Sequence, residues 1–156
     1  MNRLLESFFK IEDAKYPTQE QESDLIKYSK TINFRFNCLK EIESKESVII
    51  ERTVKDMMIK YPSINKYEFA YEKTKRDLTI VFRYCAQSMF RDNSEFIKDQ
   101  LLYWFRTILH STGFENGLIR YTYTKLDEFS KEELDPKTYN FLQPHLKTVI
   151  QVMSEK

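Results

Sequence analysis

An arginine and an aspartate stand side by side in Thr74-Lys75-Arg76-Asp77-Leu78-Thr79-Ile80-Val81-Phe82-Arg83-Tyr84-Cys85. Residues 74, 78, 81, 82, 85 and 89 share one stripe at the i, i+3, i+4, i+7 spacing. That spacing predicts a helix with Leu78, Val81, Phe82, Cys85 and Met89 facing a core. Arg76 and Asp77 flank the stripe, so charge borders an apolar surface. A guanidinium matches a carboxylate as a two-pronged fork, and a carboxylate accepts N–H groups. Other reactive residues form no constellation. Cys38 and Cys85 lack Cys-x-x-Cys spacing and sit among apolar neighbours, as buried free thiols in a reducing compartment do. His110 and His145 are isolated and give no metal site. No carboxylate spacing singles out an acid/base pair, and no nucleophile motif or Gly-rich phosphate loop occurs, so the sequence reads as a non-enzyme.

The elements that must position Arg76 and Asp77 are helical. Gly113 and Gly117 are the only glycines, and strand-like alternation is nearly absent, so hairpins have little to build on. Residues 2 to about 14 make an amphipathic segment with Leu4, Leu5, Phe8, Phe9 and Ile11 on its apolar face, ended by Pro17. Thr18 with Gln21 predicts a capping box opening a helix through Leu25, Ile26, Ile32, Phe36 and Leu39. A second helix, with Val48, Ile49, Val54, Met57 and Met58, stops near Tyr61-Pro62. The helix bearing Arg76 and Asp77 runs from about 66 to 91, and Asp92-Asn93-Ser94 stops it and starts the next. Phe96 to His110, with Trp104, is expected to be the most buried helix. Gly113 ends it. A helix over roughly 115 to 129 comes next; Ser130 with Glu133 predicts a capping box before a last helix from about 136 to 154, with Pro136 at its first position.

The 156 residues are 41% hydrophobic and 15% aromatic, enough for one domain with a formed core. Lys and Arg total 25 against 24 Asp and Glu, interspersed, so no single-sign field calls for nucleic acid. No stretch of about 18 apolar residues predicts membrane insertion, and the first ten residues do not read as a signal peptide. The expected location is cytoplasmic.

The Thr-Lys-Arg-Asp run followed by Phe82-Arg83-Tyr84 resembles the bilin-attachment helix of the phycobiliproteins, the light-harvesting globins, where Cys-x-Arg-Asp precedes an apolar stretch and Leu-Arg-Tyr. Ala14-Lys15-Tyr16, Ile49-Ile50-Glu51 through Lys60-Tyr61-Pro62, and Arg106 with Leu109-His110-Ser111-Thr112-Gly113 resemble further family segments. The resemblance implies an all-α, globin-like phycobiliprotein fold with an N-terminal helical extension over 1–16 and a single globin core over 17–156. It places Thr74 where the family has its thioether-forming Cys. Cys85, about 16 Å further along the helix axis, cannot replace it. The chain also departs from an antenna subunit in its shorter Pro62–Thr74 connection, in Ile80-Val81 for a Tyr-Tyr pair and in Leu109 for a pocket Tyr.

By the same resemblance Arg76, helped by Lys75, takes a bilin propionate, and Asp77 accepts pyrrole N–H groups, with no covalent link. A solvated or mutually paired Arg-Asp is the alternative. The family's counterpart of Arg83 bonds an N-terminal Asp of a partner subunit. Here the implied interface is Leu4, Leu5, Phe8, Phe9, Asp13 and Arg83, toward a second copy or another phycobiliprotein-like globin; folding of that segment onto its own domain is the alternative. The chain is most similar in kind to bilin-biosynthesis-associated globins, which implies making, holding or delivering a noncovalent linear tetrapyrrole, with bilin-synthesising enzymes as partners. In a photosynthetic host its place is beside the thylakoid or in the plastid stroma. A colourless assembly partner is the second reading and a haem-binding sensor globin the third.

Overall fold

The computed structural model describes residues 16–114 and 116–155, and the expected N-terminal extension, with Leu4, Leu5, Phe8, Phe9 and Asp13, lies outside them. Chain order is α1 (Gln19–Lys60), a 3₁₀ turn (Pro62–Lys66), α2 (Ala70–Arg91), α3 (Ser94–Ile97), a π turn (Lys98–Leu102), α4 (Tyr103–Ser111), α5 (Asn116–Glu133) and α6 (Pro136–Ser154). No strand occurs among the described residues. The architecture is the expected all-α, globin-like pack. α1 packs on α2 and α5, α5 lies along α6, and α6 also meets α2. Their apolar faces share one core that includes Ile49, Val54, Phe82, Met89, Leu102, Leu126, Leu142 and Met153.

Several local signals act as the sequence predicts. Thr18 Oγ1 accepts the Gln21 N–H at 3.2 Å while Gln21 Oε1 accepts the Thr18 N–H at 2.8 Å, closing the capping box. Asp92, in the left-handed region at φ 52°, ends α2, and the Asn93 side chain caps α3. Gly113, at φ 73°, comes after α4, where a residue without Cβ adopts that conformation freely. The Asp135 side chain caps α6 with Pro136 in its first turn. Leu78, Val81, Phe82, Cys85 and Met89 are all buried, so the α2 stripe faces the core as its spacing requires.

Three expectations need correction. The two helices expected between Thr18 and Tyr61 are one helix of 42 residues. Glu41 to Ser47 contains neither proline nor glycine, charged straight-chain residues favour helix, and buried Ile42 carries the apolar stripe across the join. The segment from Phe96 to His110 is not the most buried: Trp104 is 64% exposed and Tyr103 is 46% exposed. The π turn admits an extra residue into the helical repeat, which rotates the next helical turns by about 100° and swings those aromatics outward. The Ser130–Glu133 capping box does not form. Ser130 lies inside α5, fully buried, and its hydroxyl donates to the Leu126 carbonyl at 2.6 Å, so the helix runs on to Glu133.

Candidate functional site

α2 carries Thr74, Arg76 and Asp77 to a cleft of about 330 Å³, open on one side. The 3₁₀ turn and the residues after it contribute Ile64, Tyr67 and Ala70; α4 contributes Phe105, Ile108 and Leu109; α5 contributes Leu118, Ile119, Thr122 and Tyr123. Tyr67 meets Phe114 edge to face, ring centroids 5.7 Å apart. α2 is launched at Phe69, whose φ of 57° is unusual for a side chain of that size. Its carbonyl accepts the Lys73 N–H at 2.9 Å, one turn before Thr74 and Arg76.

Within the cleft the charged pair is closed on itself. Arg76 Nε and Nη2 donate to the same Asp77 oxygen, Oδ1, at 3.0 and 2.8 Å. Neighbours on a helix seldom face one another, but the long arginine side chain bends back to reach the carboxylate. Asp77 Oδ2 accepts no hydrogen bond among the described residues. The site therefore offers a guanidinium that can change partners, a free carboxylate oxygen and a wide apolar wall. Such a surface suits a flat, largely apolar ligand carrying a carboxylate and N–H groups.

The remaining residues singled out in the sequence divide. Leu109 lines the cleft. Lys75 does not: its ammonium donates to Glu51 on α1 at 2.9 Å, a bond that raises its pKa. Lys73 stands at the cleft instead. Val81 is buried in the core and Ile80 is 40% exposed, and neither is among the lining residues. Arg83 makes a two-pronged bond to Glu46 on α1, Nε to Oε2 at 2.8 Å and Nη2 to Oε1 at 2.7 Å. Cys85 is fully buried, which holds its thiol protonated far into the alkaline range. His110 is exposed, and neither histidine lines the cleft.

A second cavity, also about 330 Å³, lies between α1, α3 and α6 and is lined by Arg35, Asp92, Ser94, Asn140, Phe141, Pro144 and His145. His145 is only 5% exposed. Its Nδ1 shares a 3.0 Å hydrogen bond with Ser94 Oγ, and burial lowers its pKa to about 4. Sequence reading also missed Tyr67, Phe114 and Tyr123 as cleft residues. Tyr123 carried a weak signal, a hydroxyl in the apolar stripe with Ile119 and Leu126; the other two belong to connections that periodicity does not orient.

The family model described as Phycobilisome protein matches residues 12–153. That span is most of the chain, which therefore belongs to the phycobilisome protein family. No curated protein matches the chain at a significant level. Among the described residues no helix is long and apolar enough to cross a membrane.

Proposed function

We propose that the protein holds a linear tetrapyrrole noncovalently in the Thr74–Arg76–Asp77 cleft and serves bilin handling or phycobiliprotein maturation. The observation carrying this reading is the Arg76–Asp77 pair set in an apolar cleft of about 330 Å³, in a chain of the phycobilisome protein family. A bilin propionate takes the guanidinium from Asp77, and the released carboxylate accepts pyrrole N–H groups. The exchange leaves neither charge unpaired. Thr74 lines the same cleft with a hydroxyl, which forms no thioether. Bilin-synthesising enzymes are the partners this role requires, and a second copy or another phycobiliprotein-like globin the partner for assembly.

Co-expression with a bilin-synthesising enzyme pair tests the proposal. The expected result is a coloured native protein whose colour is released on denaturation. A colourless protein under saturating bilin overturns it. The closed Arg76–Asp77 pair supports the second reading, a colourless assembly partner, because the two charges are already paired without any ligand.

A further inference from the structure

Tyr123 sits on α5 in the cleft wall and is only 5% exposed. Its hydroxyl has no hydrogen-bond partner among the described residues, yet it is not one of the sealed, unpartnered hydroxyls, which are those of Ser88 and Ser154. The tip of Tyr123 is thus slightly accessible, and the cleft is the cavity that the residue lines. Tyrosine and tryptophan normally find a partner when buried, and an unmatched donor carries a desolvation cost that phenylalanine would avoid at nearly equal volume. The phenol is therefore a donor waiting for an acceptor supplied from the cleft.

The surroundings decide the character of that acceptor. Burial and the nearby Asp77 charge hold the phenol protonated well above its ordinary range, so it donates at any physiological pH. A second carboxylate would have to sit in an apolar wall near Asp77, where like charge disfavours it; a neutral carbonyl oxygen would not. The cleft is at the small end of ligand pockets, which run from about 300 to 1,000 Å³. Arg76 stands at its mouth, 68% exposed in its side chain, so a ligand larger than the cleft would insert one end and keep the rest beside Arg76.

We propose that Tyr123 is a specificity residue whose hydroxyl donates to the lactam carbonyl of the terminal ring inserted into the cleft, selecting linear over cyclic tetrapyrroles. This rests on the reading of the cleft as a bilin site. Both ligand classes carry propionates for Arg76. A cyclic tetrapyrrole has no ring carbonyl, so it would leave the Tyr123 hydroxyl unmatched. Sites built to satisfy a buried polar group discriminate strongly against ligands lacking the partner.

Titration of the full chain with biliverdin and with mesoporphyrin, which has propionates but no lactam, tests the assignment. Wild type, Tyr123→Phe and Arg76→Gln are compared after circular dichroism confirms equal folding. Tyr123→Phe is expected to weaken biliverdin about tenfold, to bind mesoporphyrin no more weakly than the wild type does, since the unmatched hydroxyl is gone, and to raise the carbonyl stretching frequency of bound biliverdin in Raman spectra. Arg76→Gln is expected to weaken both ligands. An unchanged biliverdin affinity and carbonyl frequency in Tyr123→Phe overturn the Tyr123 role while leaving the cleft assignment standing. Equal losses for both ligands overturn it in favour of simple packing. Failure of the wild type to bind biliverdin overturns both readings together.

Discussion

Arg35 on α1 reaches Asp92, the left-handed residue that ends α2, with Nη2 3.0 Å from Oδ1. Its Nη1 donates to the Met89 carbonyl, and its Nε donates to Thr31 Oγ1 at 3.0 Å. The guanidinium also lies over the Phe141 ring, 5.0 Å from its centroid. One buried cation thus satisfies the C-terminal turn of α2 and ties three helices together. The Arg35→Met variant keeps much of the apolar stem but removes the side-chain donor to the Met89 carbonyl, which keeps only the Asp92 N–H, and leaves the Asp92 carboxylate without its cation. It is expected to lose about 2–3 kcal/mol of stability, read as a lower denaturant midpoint with an unchanged slope.

His145 makes stability depend on pH. In the unfolded chain it titrates near 6.5, whereas burial keeps the folded ring neutral down to about 4, with Arg35 adding to the lowering and Asp92 opposing it. Between those values the unfolded state binds more protons, so its contribution is complete above about pH 6.5 and is lost as pH falls toward 4. The loss is on the order of 3 kcal/mol. Chemical denaturation from pH 4 to 8 should show this decline in the wild type and a flatter curve in His145→Gln. Parallel curves would remove His145 as the cause.

Thr74 gives a covalent readout of ligand pose. If a bilin lies in the cleft as the Arg76–Asp77 geometry suggests, Thr74→Cys with a suitable lyase places a thiol beside it. Colour that survives denaturation is expected in the variant and absent in the wild type. Release of colour from both would show that the bound ring does not present its side chain to position 74.

Trp104 is the single tryptophan of the chain and is 64% exposed. Its fluorescence in the native protein should be quenched readily by iodide or acrylamide, and only slightly more so after unfolding. A strongly shielded native signal would mean that another surface covers the α4 face, and concentration dependence of the quenching would identify a second copy as the cover.

Where the sequence was legible, local chemistry decided the outcome. Thr18 with Gln21, Asp92-Asn93, Gly113 and Asp135-Pro136 act through their own backbone, so their signals survive folding. The α2 stripe was legible because one face of a regular helix meets one core. Long-range events were not. Nothing near Ser130 announces that α5 continues, since its hydroxyl could either cap a helix or bond back to Leu126. The π turn at Lys98–Leu102 moves Trp104 outward without any glycine or proline to mark it. At the site, the Arg76–Asp77 flank was legible from spacing, but which cation reaches the cleft was not. Lys73 and Lys75 are equally plausible in sequence, and only packing against Glu51 on α1 takes Lys75 away.

Because α1 is uninterrupted from Gln19 to Lys60, it works as a ruler. Met57, in its last turns, stands at the cleft wall, and Gln19 lies about 57 Å away along the same axis. Whatever docks on the first turns of that rod is held in fixed register with the cleft, so orientation at one end of the molecule is transmitted to the other as geometry, with no moving part between them.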